Sequence, residues 1–172
     1  MANPVAFLAR RSAKRAADFA VSNPLIRWVW TGPGNEDYAN ALSEFRPTDR
    51  ESLLEMMQGR YLLASKLVDT NGVSPFAVEM VHDDWLDDLQ AFAWLRHFRD
   101  SRSDEERSFA RSLALDWIER DGHFDSMVWG LSLTARRVLN WLRHFSILVE
   151  GANAADAALI ARSLGTQIQS LK

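Results

Sequence analysis

The sequence predicts a mainly α-helical protein, an array of antiparallel helical hairpins with one small β-hairpin near 61–77. Three observations predict it. From residue 82 onward, apolar side chains recur at spacings of three and four, the period of a helix with one buried face. The connections between these periodic segments are short, which makes successive helices antiparallel neighbours. Asn71-Gly72 stands between two apolar runs, and both residues tolerate the positive φ that a tight hairpin turn demands. Helical hairpins in series close into a bundle or curve into an α/α solenoid or toroid.

Composition narrows the class. A chain of 172 residues with 47% hydrophobic and 25% charged residues is long enough to bury a substantial core. A formal net charge of −3 gives no general pull toward nucleic acid. Without cysteine there is no disulfide framework and no thiolate chemistry. No apolar run reaches the roughly 18 residues of a membrane span, and no apolar run of signal-peptide length follows the basic N-terminus. A membrane partner is therefore not expected, and the compartment, cytoplasmic or periplasmic, stays open. Seven Trp and nine Phe against two Tyr either fill a core or line a sugar-binding cleft.

Taken in order, residues 1–30 form a basic amphipathic segment. A helix is expected over 5–21, with Arg10, Arg11, Lys14 and Arg15 set among Phe7, Leu8, Ala13, Ala17 and Phe19. Such a helix lies on a membrane surface or packs as an arm on its own domain. Asn23-Pro24 interrupts it. Residues 31–48 read as a linker, opened by the breaker Thr31-Gly32-Pro33-Gly34. The domain proper spans 49–172. A short helix over 49–57 is capped by Thr48 or Asp49 and ended by Gly59. A strand over 61–70, the turn at Asn71-Gly72 and a strand over 73–76 make the hairpin, with Pro75 confining the second strand to an edge.

Four helices follow over 83–172. The first, over 83–99, is apolar over a wide arc that includes Trp85, Leu89, Phe92, Trp94 and Phe98. Ser103-Asp104-Glu105-Glu106 is a capping box that opens the second, to about Arg120. The third, over 131–149, is capped by Ser132, and the chain is organised around it. Ala135, Val138, Leu142, Phe145 and Val149 make its apolar stripe, Arg136, Asn140 and Arg143 lie opposite, and Arg137, Trp141 and His144 flank it. Guanidinium, amide and imidazole groups in such an array grip carboxylates and hydroxyls, or they form a solvated face with core ion pairs. Asn153 caps the fourth, whose stripe is Ala157, Ile160, Ala161, Leu164, Ile168 and Leu171. The array reaches Lys172 without a polar capping helix, so a longer protein is expected.

These residues carry a resemblance. Gly59-Arg60-Tyr61, then Gly72-Val73-Ser74-Pro75-Phe76, Trp85…Leu89…Phe92…Trp94-Leu95-Arg96-His97, Ala110-Arg111-Ser112-Leu113…Asp116-Trp117-Ile118 and Trp129…Ala135-Arg136-Arg137-Val138-Leu139-Asn140-Trp141-Leu142 together resemble the N-terminal part of the heparinase II/III-like family of bacterial proteins. The resemblance covers roughly residues 46–172 and rests on order and spacing. It implies part of an α/α toroid followed by a C-terminal β-sandwich domain. It implies polysaccharide lyase chemistry on uronic-acid glycans: a side chain neutralises the uronate carboxylate, a Tyr or His removes the C5 proton, and the 4-O group leaves. A toroid and a sandwich need more than 172 residues, so this chain is expected to supply cleft wall or scaffold without a complete catalytic set.

The expected glycan contacts are Arg136, Arg137, Asn140 and His144, with Trp129 as a stacking surface. Trp85 and Trp94 serve either as stacking surfaces or as core. No catalytic residue is assigned. The available bases are Tyr38, Tyr61, His82, His97, His123 and His144, and no His pair has zinc spacing. No cofactor and no metal is expected; the acidic run Asp83-Asp84…Asp87-Asp88 suits a helix N-terminus. Three function classes stay open: a lyase cleft wall, a non-catalytic helical interaction or scaffold module, and a peripheral membrane module acting through residues 1–21.

Overall fold

The computed structural model describes residues 45–78, 81–101, 103–123 and 128–171. The basic segment expected over 1–30, and the linker up to residue 44, lie outside the described residues. Helix α1 (Arg50–Met57) starts where the sequence placed it: Asp49 has extended backbone and its carboxylate accepts the Glu51 N–H at 3.0 Å. A cap of this kind contributes about 1 kcal/mol. Gly59 turns the chain out of the helix with φ of 83°. Strands β1 (Arg60–Leu63) and β2 (Lys66–Asp69) then pair antiparallel, with Tyr61 opposite Val68 and Leu62 opposite Leu67.

The hairpin corrects the expectation. The reversal falls at Ala64-Ser65, with φ of 48° and 61°, so the run expected as one strand over 61–70 folds back on itself. Asn71-Gly72 does adopt positive φ, 50° and 81°, and the Val73 N–H donates to the Thr70 carbonyl at 3.0 Å to close a β-turn. Residues 73–76, expected as the second strand, do not form one. Pro75 lacks the N–H that a ladder needs. Ser74 instead caps a 3-10 turn, Pro75–Ala77, its hydroxyl accepting the Phe76 N–H.

The helix expected over 83–99 is broken. Helix α2 (Asp83–Gln90) ends at a left-handed Phe92 (φ 56°), and a 3-10 segment, Ala93–Phe98, follows. A bulky residue with positive φ costs on the order of 1–3 kcal/mol. Packing offsets that cost: the buried Phe92 ring lies 5.1 Å from Trp94, 5.3 Å from Trp141, 5.7 Å from Phe76 and 5.8 Å from Trp117, centroid to centroid. Aromatic pairs of this geometry are worth about 0.5–1.5 kcal/mol each beyond their buried area.

Helix α3 (Asp104–Asp121) begins after Ser103, but the Ser103 side chain makes no cap, and Glu106 turns to Arg50 at 2.6 Å instead of closing a capping box. The helix expected over 131–149 is also interrupted. Helix α4 (Leu131–Arg143) starts after Gly130, not Ser132, and His144 (φ −118°, ψ 23°) separates it from α5 (Phe145–Val149). Arg111 on α3 satisfies the carbonyls that end α5, donating to Leu148 at 2.9 Å and to Glu150. Helix α6 (Ala154–Gln169) is capped by Asn153, whose side chain accepts the Asp156 N–H at 2.8 Å, and it buries Ile160, Ala161 and Leu164. α3 packs on α5 and α6, and α6 also packs on α4. The result is a mainly helical small domain with one two-strand antiparallel hairpin. Its core centres on Trp85, Phe92, Trp94, Trp117 and Trp141, so Trp85 and Trp94 are core. Among the described residues no helix is long and apolar enough to cross a membrane.

Candidate functional site

The break in α2 decides where the chemistry-bearing residues go. A helix that ends inside a core leaves carbonyls without intrahelical partners, and each needs a donor. Three side chains supply donors here, and the Leu89 carbonyl also accepts the Phe92 N–H at 3.0 Å. Trp94 Nε1 donates to the Leu89 carbonyl at 3.1 Å, Arg137 Nη1 to Gln90 at 3.3 Å and Asn140 Nδ2 to Ala91 at 2.8 Å. Arg137 and Asn140 thus cap a buried helix terminus from across the core. A cation there also meets the negative end of the helix dipole.

Arg137 is 0% exposed. Its Nε donates to Gln167 Oε1 at 2.8 Å, Nη1 also to the Val128 carbonyl at 3.0 Å, and Nη2 to Thr134 Oγ1 at 3.3 Å. The guanidinium carbon lies 4.3 Å from the centroid of Trp117 and 5.5 Å from that of Trp129. Burial pulls the guanidinium down to about 9, with Asp121 opposing, so it keeps its charge at neutral pH. Burying such a charge costs several kcal/mol. Hydrogen bonds to a charged group, about 1.5–3 kcal/mol each, and a desolvated cation–π contact of about 2 kcal/mol offset it. Gln90 extends the network: its Oε1 accepts from Trp117 Nε1 at 2.5 Å and its Nε2 donates to Asp121 Oδ2 at 2.9 Å.

The other expected contacts divide between interior and surface. Trp129, 6% exposed, covers the Trp117 and Arg137 side of the cluster and donates to the Asp121 carbonyl at 2.8 Å. Asn140 is buried, and its Oδ1 accepts from Arg46 at 3.2 Å. His144 is 2% exposed, at the break between α4 and α5. Arg136 lies outside, half-exposed, paired with Asp88 at 2.7 Å. The inner face of α4 is therefore rotated from the predicted stripe. Thr134, Arg137, Val138, Asn140 and Trp141 are buried, while Ala135 and Leu142 are only partly so. The expected stripe left Arg137 and Asn140 outside because it counted only apolar residues, and their partners are carbonyls freed by a break elsewhere. Gln167 was missed altogether. Its signal was a lone amide on the apolar stripe of α6, three residues after Leu164.

The available bases do not assemble. Burial raises the Tyr61 phenol, with Asp116 adding to the effect, and Tyr61 lies edge-on to Trp85 with centroids 6.4 Å apart. His97 Nδ1 accepts the Asp49 N–H at 3.0 Å, and burial pushes the imidazole down to about 4. His82 and His123 are exposed, and Tyr38 lies outside the described residues. Among the described residues no three His, Cys, Asp or Glu side chains gather as a metal site. No family model, curated protein or solved structure matches the chain.

Proposed function

We propose that this helical domain is a non-catalytic wall or scaffold of a heparinase II/III-like glycan-acting protein. In this reading it is part of an α/α toroid, and a C-terminal β-sandwich domain contributes to the lyase site. One observation supports it above others: six aromatic residues among those that carry the resemblance meet in one place. Trp85, Phe92, Trp94, Trp117, Trp129 and Trp141 pack in a single buried cluster, and Arg137 and Asn140 clamp the helix break beside it. What the resemblance transfers is the packing of a helical body. A guanidinium bound to interior carbonyls is engaged in structure, so a uronate carboxylate has to be met by an exposed cation. Arg136 is the expected contact that reaches the surface.

The test incubates the purified chain with a panel of uronate polysaccharides and follows the ultraviolet absorbance of the unsaturated product. The expected outcome is saturable binding, weakened in Arg136→Ala, with no product. Product that disappears on changing a Tyr or His contradicts the scaffold reading. Absence of binding across the panel contradicts the glycan-wall reading. A second reading, a helical protein-interaction module, is favoured by Leu62 and Leu67. They sit opposite each other and both are exposed on the outer face of the hairpin. It predicts association that Leu62→Lys abolishes while the fold is kept.

A further inference from the structure

We propose that the seam holding residues 46–50 against the 3-10 segment and the start of α3 is a latch that acid opens. Four contacts make the seam. The Asp49 N–H donates to His97 Nδ1 at 3.0 Å, Thr48 Oγ1 to Asp100 Oδ2 at 2.8 Å, Arg50 pairs with Glu106 at 2.6 Å, and Arg99 Nη1 donates to the Arg46 carbonyl at 3.3 Å. In three of the four the acceptor is a titratable side chain in its unprotonated form. The His97 contact is the most sensitive to protons. An imidazole accepts at Nδ1 only while that nitrogen has its lone pair, and protonation turns it into a donor facing a donor.

The surroundings set how each contact meets acid. Arg96 and Arg46 face His97 with like charge and Asp49 with opposite charge; burial and Arg96 push the imidazole down, against the pull of Asp49. The carboxyls beside it are held below the usual carboxylate range: Asp49 by the Ser52 hydroxyl, Asp100 by Thr48 and Arg99, Glu106 by Arg50 and then the Ser101 hydroxyl. The imidazole contact reverses when the ring takes up a proton, whereas the carboxyl contacts are ones that their partners hold in the charged form. The clamp on α2 responds differently. Its acceptors are the carbonyls of Gln90, Ala91 and Val128 and the Gln167 amide, none of which takes up a proton in this range. Acid thus loosens the first turn of α1 and the chain leading into it while the helical body keeps its bonds. How residues 46–50 are held then becomes a function of pH.

The test is hydrogen exchange on the full chain, expressed as protection factors and followed between about pH 6.5 and about pH 4. Residues 46–57 are expected to lose protection roughly tenfold or more, the equivalent of about one pKa unit, while α4 and α6 hold theirs. In His97→Gln the side-chain carbonyl accepts the Asp49 N–H without titrating, so the loss in this window should disappear. Protection over 46–57 that stays level in the natural chain overturns the latch, as does a His97→Gln protein that follows the same curve. Should the variant fail to fold, nitrogen NMR of the His97 ring decides. A ring midpoint that coincides with the opening of 46–57 supports the latch, and one well separated from it refutes it.

Discussion

Replacing Arg137 with Ala is expected to cost the domain about 3–5 kcal/mol, the range for removing one member of a buried charged network. The structure shows where the loss arises. The guanidinium donates to the Gln90 and Val128 carbonyls, to Gln167 and to Thr134. A buried acceptor left without its donor costs about 1–3 kcal/mol, and the contact with the Trp117 face adds about 2 kcal/mol. Relief of the buried charge offsets part of this sum. Urea unfolding followed by tryptophan fluorescence reads the result as a lower midpoint at unchanged slope. Folded-state emission should also change, because Trp117 and Trp129 lose a cation from their faces. Arg137→Lys should recover little, since one ammonium cannot span four acceptors in fixed directions. A folded Arg137→Ala protein less than about 1 kcal/mol weaker would refute the clamp and return Arg137 to the list of ligand contacts.

Asn140→Ala leaves the Ala91 carbonyl without its side-chain donor and should cost about 1–3 kcal/mol in the same titration. Ala64→Gly relieves a left-handed alanine at the hairpin turn and should raise stability by up to about 1 kcal/mol, read as a higher Tm. Arg136→Ala removes an exposed pair with Asp88 and should change stability by under about 1 kcal/mol. The pH dependence has a definite sign: the folded His97 lies at about 4 against an ordinary 6.5, so the neutral ring is favoured by folding. Its contribution is complete above about pH 6.5 and is lost as pH falls through about 4. The ring is only about half buried, and solvent screening brings the loss to about 1–2 kcal/mol, measurable as a falling urea midpoint across that window.

The parts of the fold legible in the sequence are those with local causes. Asp49, one of the two residues expected to cap α1, and Asn153 cap their helices, because a side-chain oxygen two or three residues from an orphan N–H acts wherever the rest of the chain lies. The stripe of Ile160, Ala161 and Leu164 was legible because α6 buries one face against α3, α4 and α5. The breaks were not legible. Neither Ala91-Phe92 nor His144 contains the Gly or Pro that signals one, and Phe92 is held left-handed by the four rings around it. The hairpin turn was missed for a related reason: Ala64-Ser65 carries no turn signature, while the Asn-Gly that does is used one step later. The interior place of Arg137 follows from the α2 break. A pattern that counts apolar residues has no term for a carbonyl that needs a donor.

The central claim is that the Arg137 guanidinium is an interior clamp, and it is measured most directly through its own N–H. Exchange of the Arg137 Nε–H with solvent, followed by nitrogen NMR, should be far slower than that of Arg136 and unchanged when uronate oligosaccharide is added. Exchange as fast as that of Arg136, or an Arg137 signal that shifts on titration with the oligosaccharide, would contradict the claim.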